Sequence, residues 1–332
     1  MEISAAVAID AMGGDNAPEE IVAGALSAAS EGIKCILVGD EARIKPLLSP
    51  AAKSNLEVIH TPDAVAMGDS SLQALRKKGS SMAMAINLVK DGRADAVFSA
   101  GNTGAFVLSS ISMLETIKGV EKSGIAINLP TVLNKDLLLI DAGASTDCQA
   151  ADLLVFAKMG KVYAEEIMGR KNPTIGLLNI GEEYIKGDEM SRKAYHLLKN
   201  SSLNFTGNIE GNAIAEGVND VIVCDGFVGN TILKVTEGTA GYVVAVIRSE
   251  LSAGWLSKLG AFLLKPAFGR IKKRIDWKEW GGGVLLGPKG NVLIGHGRSD
   301  AKAIHSAIRL ADKMARAGLW SKIEKELTRS EV

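Results

Sequence analysis

Short apolar runs recur along the chain, and each ends at a polar turn that contains or adjoins glycine. Residues 6–9, 94–98, 136–140 and 221–224 have the length and composition of buried strands, and helical spacing of apolar positions follows most of the turns. Strands that alternate with helices indicate an α/β fold with a mostly parallel sheet and helices on both faces. No fixed-period repeat or disordered linker interrupts this pattern. It predicts one domain over residues 1–332, and a division of this domain into two lobes is compatible with the pattern.

Five of the turns carry an acidic or amide side chain at the end of a predicted strand, namely Asp10, Asn102, Asp141, Asn179 and Asp225. Because the carboxyl ends of parallel strands meet at one edge of a sheet, we expect these side chains to line a single cleft. Each of them alone also fits an ordinary turn or helix cap. Their recurrence at five strand ends favours the cleft.

The turn at residues 99–105, SAGNTGA, lies between a predicted strand and a predicted helix. Gly101 and Gly104 allow the backbone to approach a ligand closely, and Asn102 and Thr103 supply side-chain donors. The free N–H groups at the start of the following helix favour an anion. A capped strand-to-helix turn explains the same residues equally well, so both interpretations stay open here.

Basic residues that suit an anion lie at two further places. The segment at residues 76–81 combines Arg76 with Ser80 and Ser81, which fits a phosphate group, although a solvated basic turn has the same composition. Lys186 follows the turn that begins at Asn179; the alternative for it is an ordinary surface lysine.

A histidine also lies at a predicted strand end. His296 stands between two glycines, and it is a candidate acid, hydrogen-bond donor or turn residue.

Composition and charge narrow the class of protein. The formal net charge of zero argues against nucleic acid as a partner. Cys35, Cys148 and Cys224 are widely spaced in or near apolar runs, which predicts buried free thiols in a reducing cytoplasm. The N-terminal residues lack the pattern of a signal peptide, and no apolar run reaches the roughly 18 residues of a membrane span.

Common catalytic signatures are absent from the sequence. It has no GxGxxG dinucleotide motif, no GxxxxGK[ST] P-loop, no GxSxG elbow, no HExxH pair and no CxxC pair. The sequence therefore lacks the common motifs of nucleotide-binding proteins, of hydrolases that form covalent intermediates and of zinc sites. We expect neither a metal nor a cofactor.

The segment at residues 252–278 combines apolar and basic side chains, and we expect a protruding basic amphipathic hairpin in which Pro266 separates two helical arms. Such a hairpin can lie in a membrane interface or form a subunit contact, and the two alternatives are comparable. The candidate membrane-contact residues are Trp255, Leu259, Phe262, Leu263, Lys265, Lys272 and Lys273.

Several motifs resemble, in order and spacing, those of the bacterial PlsX family of phosphate acyltransferases. The motifs are DAMGGDNAP at residues 10–18, SAGNTGA at 99–105, LLNIGEE at 177–183, VCDGFVGN at 223–230 and GHG at 295–297. Several long motifs in order are far more specific than any single glycine turn.

The resemblance implies transfer of a long-chain acyl group from acyl carrier protein to inorganic phosphate. The acyl phosphate product would serve a membrane glycerol-3-phosphate acyltransferase in phospholipid synthesis. The resemblance also implies a fold similar to isocitrate and isopropylmalate dehydrogenases, a homodimer, and a cytoplasmic protein that associates peripherally with the membrane surface. A phosphate acetyl- or butyryltransferase that uses acyl-CoA is the alternative.

The turns and the resemblance together define the candidate site. The catalytic candidates are Lys186, Asn179, Asp225 and His296, and Lys186 occupies the position of a lysine that the family carries after this turn. The substrate-binding candidates are Asp10, Gly13, Gly14, Arg76, Ser80, Ser81, Gly101, Asn102, Thr103, Gly104, Asp141, Gly143, Gly181, Glu182, Gly226 and Asn230.

Overall fold

A computed structural model describes residues 5–48, 54–133, 135–274 and 281–329 of the chain. The described strands form one sheet of eleven strands. The strands are β1 (Ala6–Asp10), β2 (Lys34–Gly39), β3 (Leu56–His60), β4 (Ala96–Ser99), β5 (Gly124–Pro130), β6 (Asp136–Ile140), β7 (Ile175–Leu178), β8 (Phe205–Ile209), β9 (Val221–Val223), β10 (Gly283–Leu286) and β11 (Asn291–Ile294). The helices are α1 (Glu19–Ser30), α2 (Glu41–Ile44), α3 (Ser71–Arg76), α4 (Ser81–Lys90), α5 (Thr103–Leu114), α6 (Ala150–Glu166), α7 (Glu189–Lys199), α8 (Ala213–Glu216), α9 (Gly226–Ser252), α10 (Trp255–Arg274), α11 (Ala301–Ala317) and α12 (Leu319–Thr328), with a 3-10 helix at Lys45–Leu47.

The sheet has two parallel halves that run in opposite directions. Its strand order is β3-β2-β1-β4-β11-β10-β5-β6-β9-β7-β8. The first half, from β3 to β11, is parallel throughout, and so is the second half, from β6 to β8. Three antiparallel ladders, β11–β10, β10–β5 and β5–β6, separate the halves. The mostly parallel sheet that the sequence predicts is thus confirmed, but its direction reverses between the halves.

Helices cover both faces of the first half, which explains why its strands are apolar throughout. Val7 and Ile9 of β1 belong to the core that contains α1 and α11. Ala8, between them, belongs to the core that contains α4 and α5. The alternation of side chains along a strand thus sends neighbours into two separate layers of helices.

Helices α1 and α11 pack closely because a glycine lies at their contact. A Cβ atom on Gly24 of α1 would lie 2.6 Å from Cγ2 of Ile304 and 2.9 Å from the carbonyl oxygen of Ala301. The missing side chain therefore sets the separation of the two helices.

Helices α9 and α10 form a hairpin that projects from the rest of the described chain. From residue 234 to the end of α9, almost every side chain is exposed. The expected break at Pro266 is wrong, because Pro266 lies inside the continuous helix α10 and α9 supplies the other arm. An exposed helix tolerates proline since water can bind the carbonyl that loses its intrahelical partner.

Part of the predicted hairpin lies outside what is described. Residues 275–278 are not among the described residues, and neither are the side chains of Lys272 and Lys273. None of the helices within the described ranges is both long enough and apolar enough to cross a membrane.

We expect Gly24→Val to lower the free energy of unfolding by about 1–3 kcal/mol, because the new side chain overpacks the contact with Ile304. Urea unfolding followed by circular dichroism measures the change. Ser27→Val, on the exposed side of the same helix, is the matched control and should stay within about 0.5 kcal/mol of the parent. Equal losses in both variants would contradict close packing at Gly24.

Candidate functional site

A buried carboxylate joins the first predicted turn to two neighbouring elements. Oδ1 of Asp10 accepts a hydrogen bond from Oγ of Ser81 at 2.6 Å, and Oδ2 accepts one from Oγ of Ser99 at 2.7 Å. Burial raises the pKa of Asp10, and the two hydroxyl donors oppose that rise. The structure therefore places Asp10 and Ser81 in the support of the turn, with their hydrogen-bonding atoms turned toward each other.

The glycines of this turn allow close contact with the SAGNTGA turn. A Cβ atom on Gly13 would lie 2.5 Å from Oδ2 of Asp10 and 2.9 Å from the nitrogen of Gly101. Gly14 has φ of +112°, a conformation that L side chains rarely adopt. The N–H of Asp15 donates to the carbonyl of Gly297 at 2.8 Å, which brings in the turn after β11. We call the turns at residues 10–16, 99–104 and 295–299 the first cluster.

Asn102 acts as the N-cap of α5 and also ties down a loop. Its Oδ1 accepts from the N–H of Ala105 at 3.0 Å, and its Nδ2 donates to the carbonyls of Met67 and Asp69. The exposed residues Thr103 and Gly104 then begin the helix with N–H groups that have no intrahelical acceptor. The Asn102 amide is thus already bonded, and the donors that this turn leaves exposed are main-chain N–H groups.

Within the basic segment at residues 76–81, Ser80 and Lys77 are engaged in the protein's own contacts, whereas Arg76 stays open to solvent. Ser80 is fully buried and caps α4 by accepting from the N–H of Ala83. Lys77 pairs with Asp69 at 2.7 Å. Arg76 is exposed at the end of α3, so its side chain remains open to solvent.

His296 lies half-buried at the end of β11. Its Nδ1 accepts from the N–H of Arg298 at 3.1 Å, so the neutral ring carries its proton on Nε2. Burial lowers the pKa of His296 below its usual value of 6.5, and the Arg298 charge acts in the same direction. Among the weaker influences, the charge of Glu237 raises the pKa of His296 and that of Lys234 lowers it. At neutral pH the side chain is an uncharged donor.

A second buried carboxylate organises the turn after β6. Asp141 accepts four hydrogen bonds of 2.8 to 2.9 Å from main-chain N–H groups. The donors are Ile125, Gly143, Ala144 and Ser145. Burial raises the pKa of Asp141, and these donors oppose the rise. Such a carboxylate fixes a loop, because both of its oxygens accept main-chain hydrogen bonds.

The start of α9 packs against this loop. Asp225 is the N-cap and accepts from the N–H groups of Phe227 and Val228. The N–H of Gly226 donates to the carbonyl of Ser145 at 2.8 Å. Asn230 is exposed, and a Cβ atom on Gly143 would lie 3.2 Å from its Cβ.

Two asparagine amides hold the loop that carries Lys186. Nδ2 of Asn179 donates to the carbonyl of Lys186 at 3.2 Å, and Nδ2 of Asn208 in β8 donates to the carbonyl of Glu183 at 2.9 Å. Gly181 is buried beneath the loop, and Glu182 is exposed on it. The Lys186 side chain is exposed and forms no ion pair with any described residue. Asn208 was missed by the sequence analysis, because a lone amide in a short strand carries no distinctive signal.

An open groove of about 450 Å³ lies beside this loop, with Asn179 and Asp225 at its edge. It runs between the ends of β7 and β9, helix α6, the start of α7 and the first turns of α9. We call the turns at residues 141–145, 179–187 and 225–230, which surround it, the second cluster.

The expectation that all five strand ends meet at one edge is wrong. Asp10 and Asn102 end strands of the first half, whereas Asp141, Asn179 and Asp225 end strands of the second half. The three antiparallel ladders reverse the strand direction, so these carboxyl ends point to opposite edges of the sheet. Helix α9 begins in the second cluster, with Asp225 as its N-cap.

Similarity to known proteins covers nearly the whole chain. A family model described as fatty acid synthesis protein matches residues 5–322. The phosphate acyltransferase of Aquifex aeolicus is 49% identical over 309 residues, which cover 92% of this chain and 91% of the relative. The phosphate acyltransferase of Desulfitobacterium hafniense (strain DSM 10664 / DCB-2) is 46% identical over 327 residues, covering 97% and 98%. The chain belongs to the phosphate acyltransferase family. The resemblance seen in the sequence motifs is thereby confirmed.

The family's fold also occurs among phosphotransacetylases. A phosphotransacetylase from Streptococcus pyogenes aligns with a TM-score of 0.62 at 16% identity, covering 94% of each chain. The EutD phosphotransacetylase of Staphylococcus aureus aligns with a TM-score of 0.58 at 14% identity, covering 95% of each chain. At these identities the likeness concerns the fold alone. Within the described ranges, no group of three or more His, Cys, Asp or Glu side chains is arranged to hold a metal ion.

We expect Asp141→Ala to destabilise this member of the family by at least about 3 kcal/mol, because four main-chain N–H groups lose their acceptor. Urea unfolding measures the loss. Asp147→Ala is the control on the same loop, where the exposed carboxylate only pairs with Lys122. Its urea midpoint should be almost unchanged. A small effect of Asp141→Ala would show that the loop does not depend on this carboxylate.

Proposed function

We propose that the protein transfers an acyl group from a thioester to inorganic phosphate and so releases an acyl phosphate and a thiol. The observation that carries this proposal is the nearly full-length similarity to curated phosphate acyltransferases. We propose further that the donor is a long-chain acyl group on acyl carrier protein. The product would then supply a membrane glycerol-3-phosphate acyltransferase in phospholipid synthesis.

The side chains of the two clusters support a reaction in which phosphate is the nucleophile. The hydroxyls of Ser81 and Ser99 are buried and donate to Asp10, so neither is exposed to a substrate. Burial raises the pKa of Cys148 to about 12 and holds that of Cys224 well above its usual value. These thiols therefore remain protonated, and a covalent acyl-enzyme has no candidate residue among them.

In the proposed step, a phosphate oxygen attacks the thioester carbonyl carbon and forms a tetrahedral oxyanion. The carbon–sulfur bond then breaks, the thiolate leaves with the electron pair, and it is protonated to the thiol. Because a thiol pKa of about 8.5 makes the thiolate a fair leaving group, strong general-acid catalysis is unnecessary. The enzyme's task is to position phosphate and to stabilise the developing charge.

The charge-stabilising group that we propose is Lys186 in the second cluster. Its side chain is exposed, and its carbonyl accepts a hydrogen bond from the Asn179 amide. Thr103, Gly104 and His296 belong to the first cluster, whose strand ends point to the opposite edge of the sheet, so we assign them no part in this step.

Trapping with hydroxylamine tests the activity. Incubation with palmitoyl acyl carrier protein and phosphate should yield the hydroxamate of the acyl phosphate. Palmitoyl-CoA is the parallel donor, because the phosphotransacetylase fold makes an acyl-CoA-dependent phosphate acetyl- or butyryltransferase the second candidate. Reaction with CoA thioesters alone would favour that candidate, and no hydroxamate from either donor would refute the proposed function.

Within the same assay, we expect Lys186→Ala to lower kcat by about 10²–10³-fold, the usual effect of losing a group that stabilises an oxyanion. Lys199→Ala is the control, since Lys199 is an exposed lysine on α7 outside both clusters. Near-normal turnover by Lys186→Ala would remove Lys186 from the mechanism.

The exposed hairpin supports two further proposals, a homodimer and a peripheral membrane contact. Val235, Tyr242 and Val246 of α9 are exposed at helical spacing on one face, which suits a second copy of the chain. In α10, Trp255 is 75% exposed and Phe262 is 71% exposed, and lysines such as Lys265 lie among the apolar residues. This combination suits the interface of an anionic membrane, and we propose that the protein acts in the cytoplasm at that surface.

We expect the double variant Trp255→Ser, Phe262→Ser to bind vesicles of mixed zwitterionic and anionic phospholipid at least about tenfold more weakly, because two apolar side chains no longer enter the interface. Vesicle co-sedimentation measures binding. Leu72→Ser, at a leucine of α3 that is 68% exposed, is the control and should bind normally. Unchanged binding of the double variant would rule out this face of α10 as the contact.

Tyr242→Glu tests the dimer separately, since a charge on that face of α9 should weaken self-association. Analytical ultracentrifugation follows the monomer fraction, and an unchanged dimer would place the subunit contact elsewhere.

A further inference from the structure

The groove of the second cluster is apolar along its floor and walls. Leu153, Leu178 and Cys224 form the floor, and all three are buried. Met190, Val228 and Ile232 line the sides. At about 450 Å³, the groove lies within the range of roughly 300–1,000 Å³ that is usual for small-ligand sites.

The polar groups at the edge of the groove are already engaged in the protein's own hydrogen bonds. The carboxylate of Asp225 caps α9, and that of Asp188 caps α7 by accepting from the N–H of Ser191. The amide of Asn179 donates to the carbonyl of Lys186 and accepts from the N–H of Ile180. Because these groups are occupied, the groove offers a ligand mainly hydrocarbon contacts.

Large apolar side chains also lie exposed around the opening. Ile180 is 82% exposed and Phe227 is 67% exposed, and both lie in the turns that border the groove. Exposed apolar area that continues into an apolar groove is unfavourable in water, so an apolar occupant would be stabilised there. The loop of Lys186, the proposed charge-stabilising residue, forms one border of the same groove.

We propose that this groove binds the hydrocarbon chain of the acyl donor, with the thioester placed at the Asn179–Lys186 border. This inference rests on the proposed function and adds to it the site at which the protein selects the length of the acyl chain. The occupant is a hydrocarbon chain because the free lining is apolar and because the groove opens beside the proposed reacting group.

Two variants reduce the space in the groove by different means. Gly211 lines it, and a Cβ atom there would meet no heavy atom within 4 Å, so the backbone environment accepts the first side-chain atom of Gly211→Leu. Met190→Trp enlarges a side wall from α7. Leu197→Trp is the matched control, since Leu197 is an exposed residue two turns further along α7 and does not line the groove.

The experiment measures kcat/KM for a series of acyl thioesters whose chains range from roughly eight to eighteen carbons. For the parent protein, each methylene that enters the groove should raise kcat/KM by up to about fourfold until the groove is full. Gly211→Leu and Met190→Trp should reduce the advantage of the longest over the shortest donor at least about tenfold, whereas Leu197→Trp should keep the parent profile. A parent profile in both groove variants would overturn the inference.

A binding measurement separates this inference from the activity. Equilibrium dialysis with radiolabelled palmitate should show weaker binding to both groove variants than to the parent and to Leu197→Trp. If the parent turns over no thioester but palmitate binding follows this order, the proposed function fails and the hydrocarbon site stands. If Met190→Trp changes only the oligomeric state in analytical ultracentrifugation, a second copy of the chain covers the groove and the inference is overturned.

Discussion

A carboxylate buried at the end of a strand must find hydrogen-bond donors within the protein, and this requirement shapes both clusters. Asp10 obtains its donors from two serines on neighbouring elements, and Asp141 obtains four from the main chain around it. Because the loss of any of these donors would weaken the solvation of a buried carboxylate, the surrounding turns are held in place together. The exposed groups that meet the solvent, among them Thr103 and Lys186, are positioned on turns that these buried groups hold.

The same requirement divides polar residues into those that support the turns and those that face outward. Ser80, Ser81 and Asn102 resemble ligand donors in the sequence, yet each is engaged by a cap, a carboxylate or a loop carbonyl. Asn102 Oδ1 accepts from the N–H of Ala105, and the N–H groups of Thr103 and Gly104 remain without an intrahelical acceptor. The serine hydroxyls of the first cluster thus serve the fold, which agrees with a reaction whose nucleophile is a substrate.

Much of the architecture could be predicted from the sequence, because strand length, helical spacing and glycine turns are local properties. The reversal of the sheet could not, since an apolar strand such as β5 or β10 has the same composition whichever way it runs. The positions of the polar turns could likewise be predicted. Their hydrogen-bond partners could not, because they depend on contacts between residues far apart in the sequence, such as Ser81 and Asp10. Asn208 and the groove could not be predicted from the sequence, because a buried amide and a set of Leu, Met and Val side chains have the same pattern as ordinary core residues.

Helix α9 has a mechanical consequence that follows from its length. Its 27 residues extend for about 40 Å at 1.5 Å per residue, from the cap at Asp225 to the exposed arm of the hairpin. Long helices bend only gently, so a change of tilt at the outer end must reappear at the inner end. Val228 and Ile232 lie on that inner end, where they form a wall of the groove. One continuous helix therefore joins the exposed arm of the hairpin to the wall of the groove.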